Sequence, residues 1–324
     1  MHYHIVNNLE FDKDLISKVE IAGAGFINFF ISDNYYKKIV KEILTEKSNY
    51  GKSGLYKNKT ANLEWVSANP TGFLHAGHGR QVCLGKAIAN LLEWIGYKVT
   101  REFYYNDAGK QMEIMAKSVY ARYMQIIEPD FPFPENGYAG DYIKDIAGII
   151  YDENKDTLKD SENLDFFKKT GENYNFEKIK NDLKTLDINH DIFFNESSLY
   201  ESKVIDKTIE EFKTKGLTYE EDGAVWLKMN KDEGFQKDKV IVKSTGEPTY
   251  RLPDIAYHVD KINRGYDLII DIFGSDHGDT YKEVLYGIRS LGYDVEKIKV
   301  IIHQMVTFKV GNESFKMSKR SDKS

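Results

Sequence analysis

Between Leu63 and Tyr105 the hydrophobic period of this chain changes twice, and that change limits the folds open to it more than any other feature. Leu63 to Ala68 reads as a strand that ends in the turn-forming run Asn69-Pro70-Thr71-Gly72. From Gly77 onward Val82, Leu84, Ala87, Ile88, Leu91, Leu92 and Ile95 recur at helical spacing, and Gly96 supplies the stop. Lys98 to Tyr105 is a second strand. Strand, turn, helix and strand in this order make a βαβ unit, whose right-handed crossover belongs to a parallel sheet covered by helices.

Strands return in the second half of the chain at Ala224 to Met229, Lys239 to Lys243 and Pro248 to Leu252, the last two joined as a hairpin through Ser244-Thr245-Gly246-Glu247. A helix follows Asp254. Leu268 to Phe273 is an apolar, β-branched run suited to a strand buried on both faces. A loop at Gly274 to Asp279, a helix at Thr280 to Leu291 and a buried strand at Lys299 to Ile302 complete a second α/β half. From about Asp107 to Tyr219 the pattern is mostly helical, broken at Phe131-Pro132-Phe133-Pro134, and is expected to be an insertion. The expected fold is therefore α/β, a doubly wound parallel-sheet (Rossmann-like) domain over 57–324, with a helical insertion at about 107–219 and its ligand at the carboxyl ends of the strands. Residues 1–56 are expected to form a small, partial α+β unit, with an apolar stretch at Phe26 to Ile31 and a helical pattern from Tyr35 to Thr45.

Composition narrows the function classes. A length of 324 residues with 41% hydrophobic and 13% aromatic side chains supports a packed interior and excludes a disordered chain. The single cysteine, Cys83, excludes a disulfide scaffold or a cysteine-rich zinc site and fits a reducing compartment. No apolar run approaches the ~20 residues of a membrane span, and the start lacks the pattern of a secretory signal, so a cytoplasmic location with no membrane partner is expected. A net charge of −6 argues against coating nucleic acid as the main task but leaves room for a local nucleic-acid face.

His75-Ala76-Gly77-His78 falls where this fold binds ligands, at the opening of the first helix. A helix N-terminus offers N–H groups and partial positive charge to a phosphate, two imidazoles add donors, and Gly77 leaves room for a base or ribose. An isolated pair of this kind also fits surface or capping histidines, and it makes a poor metal site without nearby cysteine. Near the far end Lys316-Met317-Ser318-Lys319-Arg320 follows a β-turn read at Val310 to Ser314, a basic loop that could neutralise charge as a nucleoside triphosphate is cleaved. A lone pair of lysines at this spacing fits a solvated charge run equally.

Together, in this order and on either side of a split α/β fold, the two elements resemble the signature motifs of the class I aminoacyl-tRNA synthetases. The stretch Leu63 to Arg80, with Glu64, Ser67, Asn69, Pro70 and Thr71 ahead of the histidines, resembles the arginyl-tRNA synthetase version. So do Asn106 to Gln111, Thr249-Tyr250 to Asp254-Ile255-Ala256-Tyr257, and Gly274-Ser275-Asp276-His277. The resemblance implies activation of arginine by ATP and its transfer to tRNA(Arg), with Mg2+ accompanying the ATP and no metal held by protein side chains. It implies that His75 and His78 contact the ATP phosphates, that Gly77 underlies the adenosine, and that Lys316 and Lys319 move onto the pyrophosphate with Met317 and Ser318 between them on the ATP. Gly274 and Asp276 would hold the ribose, with His277 beside them.

For arginine, the resemblance places Glu64 and Asn69 near the polar groups of the amino acid and Tyr250 and Asp254 along its side chain, with Asp254 as the guanidinium partner. Asp254 also fits an N-cap for a helix starting at Ile255, and Tyr250 also fits a core strand position. Asn106 and Asp107 receive no role. Family members continue past the point corresponding to Ser324 into a domain that grips the anticodon stem, have a longer N-terminal domain, and generally need bound tRNA before they activate arginine. The chain is therefore expected to be a fragment, and a monomer. The other readings are a different adenylyl or nucleotidyl transferase sharing the histidine motif, and a non-catalytic synthetase-like protein that binds arginine.

Overall fold

The computed structural model describes residues 2–107, 109–161, 163–310 and 313–315. The chain divides into two compact units, Met1–Leu55 and Tyr56–Ser324. In the first, a short helix α1 (His2–Asn7) precedes an antiparallel hairpin of β1 (Ile16–Ala22) and β2 (Phe26–Ile31). Helix α2 (Asp33–Glu46) follows, opened by Ser32, whose side chain accepts from the Tyr35 N–H.

The second unit begins with β3 (Thr60–Glu64), α3 (Ala76–Trp94) and β4 (Lys98–Tyr105), the βαβ unit expected from the change of period. Next come α4 (Lys110–Ile127), α5 (Asp141–Asn154), α6 (Asp165–Thr185), β5 (Ile192–Asn195), α7 (Ser197–Glu201) and α8 (Val204–Thr214). An antiparallel meander of β6 (Thr218–Glu221), β7 (Ala224–Leu227) and β8 (Lys239–Val242) leads into α9 (Arg251–Asn263), β9 (Leu268–Gly274), α10 (Thr280–Ser290) and β10 (Ile298–His303). The last described elements are the paired β11 (Phe308–Val310) and β12 (Glu313–Phe315).

The central sheet runs β10-β9-β3-β4-β5 and every pairing in it is parallel. The chain moves outward from β3 to β5, then returns to the other side of β3 for β9 and β10, so the direction of winding reverses between β3 and β9. Ligands bind at that reversal, beyond the carboxyl ends of the strands. Both faces of the sheet are covered, as a parallel sheet requires. Ile270 and Ile272 of β9 join Leu63, Phe103, Val82 and Ile179 in one layer, while Ile269 joins Leu252, Ile255 and Ile288 in the other. Helices α4, α5 and α6 enclose a third core around Met115, Tyr123, Ile143 and Phe167.

Three local readings change. The first strand starts at Thr60 and stops at Glu64, because Val66 and Ser67 adopt left-handed φ values of 71° and 42° that no strand accommodates. Only Pro248 of the expected strand at Pro248 to Leu252 bridges to Val242, and helix α9 starts at Arg251 with Pro253 in its first turn, where a missing N–H costs nothing. The segment read as mostly helical contributes β5, which lies parallel to β4 at the sheet edge. It also ends in β6, turned into β7 by Asp222-Gly223, both with positive φ.

Candidate active site

A cleft of about 650 Å3 opens at the β3/β9 reversal. Glu64, Asn69, His75, Gly77 and His78 line it from the β3–α3 side, Tyr250 and Asp254 from the start of α9, and Gly274, Asp276 and His277 from the end of β9. Lys316, Met317, Ser318 and Lys319 lie outside the described residues.

The N-terminus of α3 is closed by its own histidines. His75 is the N-cap, and its Nδ1 accepts from the Gly77 N–H at 3.1 Å, while the His75 N–H donates to His78 Nδ1 at 3.1 Å. The ring centroids are 4.0 Å apart. Since a backbone N–H can only donate, each Nδ1 is an acceptor, so each neutral ring carries its proton on Nε2 and that nitrogen is the donor. The missing Cβ of Gly77 would sit 2.8 Å from the His75 ring, so glycine here is what lets the ring fold over the helix end. The turn before α3 is tied to β4: Ser67 Oγ donates to Glu64 Oε1 at 2.8 Å and accepts from the Tyr104 N–H at 3.2 Å, and Asn69 Oδ1 accepts from the Asn106 N–H at 3.0 Å. These bonds hold the left-handed backbone at Val66 and Ser67, strain of a kind that gathers at ligand sites.

Beneath the cleft floor lies a buried charge network. Lys261 Nζ donates to Glu64 Oε2 and, at 2.6 Å, to Asp271 Oδ1, and Lys261 and Asp271 have no solvent exposure. His258 bonds Asp271 Oδ2 through Nε2 at 3.0 Å and the Asp254 carbonyl through Nδ1 at 2.7 Å. Both partners can only accept, so His258 is an imidazolium. Burial alone would lower its pKa, but Asp271 outweighs burial and raises it. In turn Lys261 and His258 hold the Asp271 carboxyl well below the usual range, against the effect of burial. Next to them Arg264 grips Glu102 through both terminal nitrogens at 2.8 and 2.9 Å.

In this network the cations Lys261, His258 and Arg264 are bonded to the anions Glu64, Asp271, Glu102 and Asp260, and two further carboxylates stand on the cleft wall. Among the described residues neither Asp254 nor Glu196 forms an ion pair. Burial pushes the Asp254 carboxyl up to about 7, with Glu64 and Glu196 adding to the shift and His258 and Lys261 opposing it. Glu196, only 8% exposed, is also raised by burial, although Tyr104 OH donates to its Oε2 at 2.6 Å. A wall of this kind attracts a cation that can donate several hydrogen bonds.

Asp254 is not an N-cap, because the helix already begins at Arg251 with Tyr250 at the cap. Tyr250 is not a core residue either: it is 78% exposed, at the cleft mouth. Glu64 faces the cleft, but both its oxygens are taken by Ser67 and Lys261. At the opposite end, the Asp276 carboxylate folds over Gly274, leaving no room there for a Cβ, and His277 stacks on Phe273 with centroids 5.3 Å apart. Glu196, Tyr104, Lys261 and His258 are the site residues that motif reading missed. A signal existed for the network: Asp271 is a lone charge within an apolar strand, which demands a buried partner.

A parallel sheet wound in this order, with a histidine-capped helix at the reversal, is the architecture of a class I nucleotide-activating enzyme. The chain matches the family model "tRNA synthetases class I (R), catalytic domain" over residues 39–324 and belongs to that family. Residues 3–31 match the arginyl tRNA synthetase N terminal domain. Similar proteins include an arginine–tRNA ligase of Desulfotalea psychrophila, 46% identical over 98% of this chain and 57% of the relative. Another, from Prosthecochloris aestuarii, is 48% identical over 96% of this chain and 57% of the relative. The chain thus spans little more than half the length of the curated relatives it matches. A Campylobacter jejuni structure assigned as an arginyl-tRNA synthetase superposes with a TM-score of 0.80 at 32% identity, covering 89% of this chain and 63% of that one. The Thermus thermophilus arginyl-tRNA synthetase, at 16% identity and a TM-score of 0.67 over 94% of this chain and 56% of that one, shares the fold. Among the described residues no helix is long and apolar enough to cross a membrane.

Proposed function

We propose that the cleft is the arginine-activating centre of a cytoplasmic arginine–tRNA ligase, joining arginine to ATP as arginyl-adenylate and then passing the arginyl group to tRNA(Arg). The observation that carries this reading is the surplus of negative charge at Asp254 and Glu196, unmatched by any cation in the buried network below. A guanidinium supplies the positive charge and the planar set of donors that such a wall accepts. Tyr250 covers the side chain at the mouth, and Asn69 lies beside the amino acid's polar groups.

The reaction needs no covalent enzyme intermediate. The arginine carboxylate attacks the α-phosphorus, and pyrophosphate leaves with the electron pair of the broken P–O bond. The chain's part is to align the two groups and to stabilise charge on the phosphates. His75 and His78 serve this as neutral Nε2–H donors at the positive end of α3, with adenosine over Gly77 and its ribose at Gly274 and Asp276 beside His277. Lys316 and Lys319, with Met317 and Ser318 between them, are assigned to the triphosphate by their motif. Among the described residues no three His, Cys, Asp or Glu side chains come together as a metal cage. Mg2+ is assigned to the ATP itself because the family resemblance implies it, held by phosphate oxygens and water, and no step is routed through it.

The test is arginine-dependent exchange of pyrophosphate into ATP by the intact protein with tRNA(Arg) present. His78→Ala should lower exchange by at least about 100-fold while arginine binding persists. An equal loss of arginine binding, or exchange driven as well by lysine as by arginine, contradicts the reading.

A further inference from the structure

Asp107 lies two residues beyond the end of β4 at Tyr105. Asp107 Oδ1 accepts from the Ser197 N–H at 2.9 Å. Its Oδ2 accepts from Ser197 Oγ at 2.6 Å and from Asn195 Nδ2 at 3.2 Å, and Asn195 Nδ2 also donates to Ser197 Oγ at 2.8 Å. The two residues it grips are those on either side of Glu196. Glu196 is held in between by its own N–H, which donates to the Tyr105 carbonyl at 3.0 Å, and by Tyr104 OH on its carboxylate. The end of β4 therefore fixes Glu196 at backbone and side chain together, while Asp107 itself does not line the cleft.

We infer that Asp107 is a positioning residue for the amino-acid pocket, clamping Asn195 and Ser197 so that the Glu196 carboxylate is presented to the cationic side chain of the substrate. The inference rests on the proposed arginine pocket. An ordinary helix cap does not account for the choice of residue. A neutral asparagine or serine would satisfy the first N–H of α7 nearly as well, whereas a second carboxylate beside Glu196 opposes its ionisation. What aspartate adds is two acceptor oxygens that take all three donors at once; an amide in its place turns one of those oxygens into a donor. Because Asp107 acts through Glu196, its removal should be felt on arginine and not on ATP, whose assigned contacts lie at the start of α3 and the end of β9.

The experiment measures separate KM values for arginine and ATP in the intact protein with tRNA(Arg), for Asp107→Asn, Glu196→Gln and the double variant. Asp107→Asn should raise the arginine KM about 10-fold and leave the ATP KM within about 2-fold. In the double variant the loss should not exceed that of Glu196→Gln alone, since the clamp has nothing left to present. Parallel rises in both KM values, or additive losses in the double variant, overturn the inference. If Asp107→Asn does not melt cooperatively, Ser197→Ala, which removes a single donor of the clamp, is read by the same criteria. Glu196→Gln with an unchanged arginine KM brings down the arginine-pocket reading itself; a large effect there with none from Asp107→Asn or Ser197→Ala brings down only the clamp.

Discussion

Lys261 Nζ lies 2.6 Å from Asp271 Oδ1, and neither side chain reaches solvent. The same ammonium bonds Glu64, so one cation anchors strands β3 and β9 at the reversal where the cleft opens. Removing one partner from a buried pair leaves the others as unpaired buried charge, which costs more than the pair itself contributes. Lys261→Met should therefore lower unfolding stability by about 3–5 kcal/mol, read from the denaturant midpoint at constant slope. A loss under about 1 kcal/mol would show that the carboxylates find other partners or take up protons.

Helix α3 packs closely on the segment after β3 because Gly85 has no side chain. A Cβ on Gly85 would lie 2.2 Å from Cγ of Trp65, a ring that is 1% exposed and packed against His190. Alanine favours a helix over glycine by about 1 kcal/mol, but here the overpacking of a pinned indole outweighs it. Gly85→Ala should thus destabilise by about 1–3 kcal/mol, with a lowered thermal midpoint. An unchanged or raised midpoint would mean that Trp65 can move aside.

The unmatched charge on the cleft wall sets a pH dependence. Asp254 titrates at about 7 in the fold against an ordinary 3.8, so between these values the folded state holds a proton that the unfolded chain has released. The stability this confers is fully present below 3.8 and is lost as pH rises through about 7. A guanidinium favours the ionised form, so arginine affinity should climb between about pH 6 and pH 8, with release of up to about one proton at the lower end. Glu64, Glu196, His258 and Lys261 are the charged groups that act on this carboxyl. Calorimetry in buffers of different ionisation enthalpy measures the proton release. An affinity flat across this range would remove Asp254 from the binding step.

Long periodic segments were readable from the chain alone: β4, β9, α3 and α10 fall within a residue or two of their expected spans, and with them the α/β class. The placement of His75 at a helix start was readable too, because turn residues and the change of period mark that point. The end of β3 was not, since nothing in Trp65-Val66-Ser67 announces left-handed backbone; the hydrogen bonds of Ser67 and Asn69 to β4 impose it. Nor was β5, whose four residues are too short to carry a period. Missing β5 hid Glu196, because a carboxylate just past a parallel strand becomes a candidate only once the strand is seen. The counter-ions of Asp271 sit 13 and 10 residues back on α9, a distance that only the packed fold closes.

Whether Asp254 and Glu196 seat a guanidinium is decided by calorimetric titration of the intact protein at about pH 8, with arginine and its uncharged analogue citrulline compared for the unsubstituted protein and Asp254→Asn. The unsubstituted protein should prefer arginine strongly, and Asp254→Asn should lose at least about 10-fold in arginine affinity while still melting cooperatively and binding ATP. Arginine affinity unchanged in a folded Asp254→Asn, or citrulline bound as tightly as arginine, would contradict that seating.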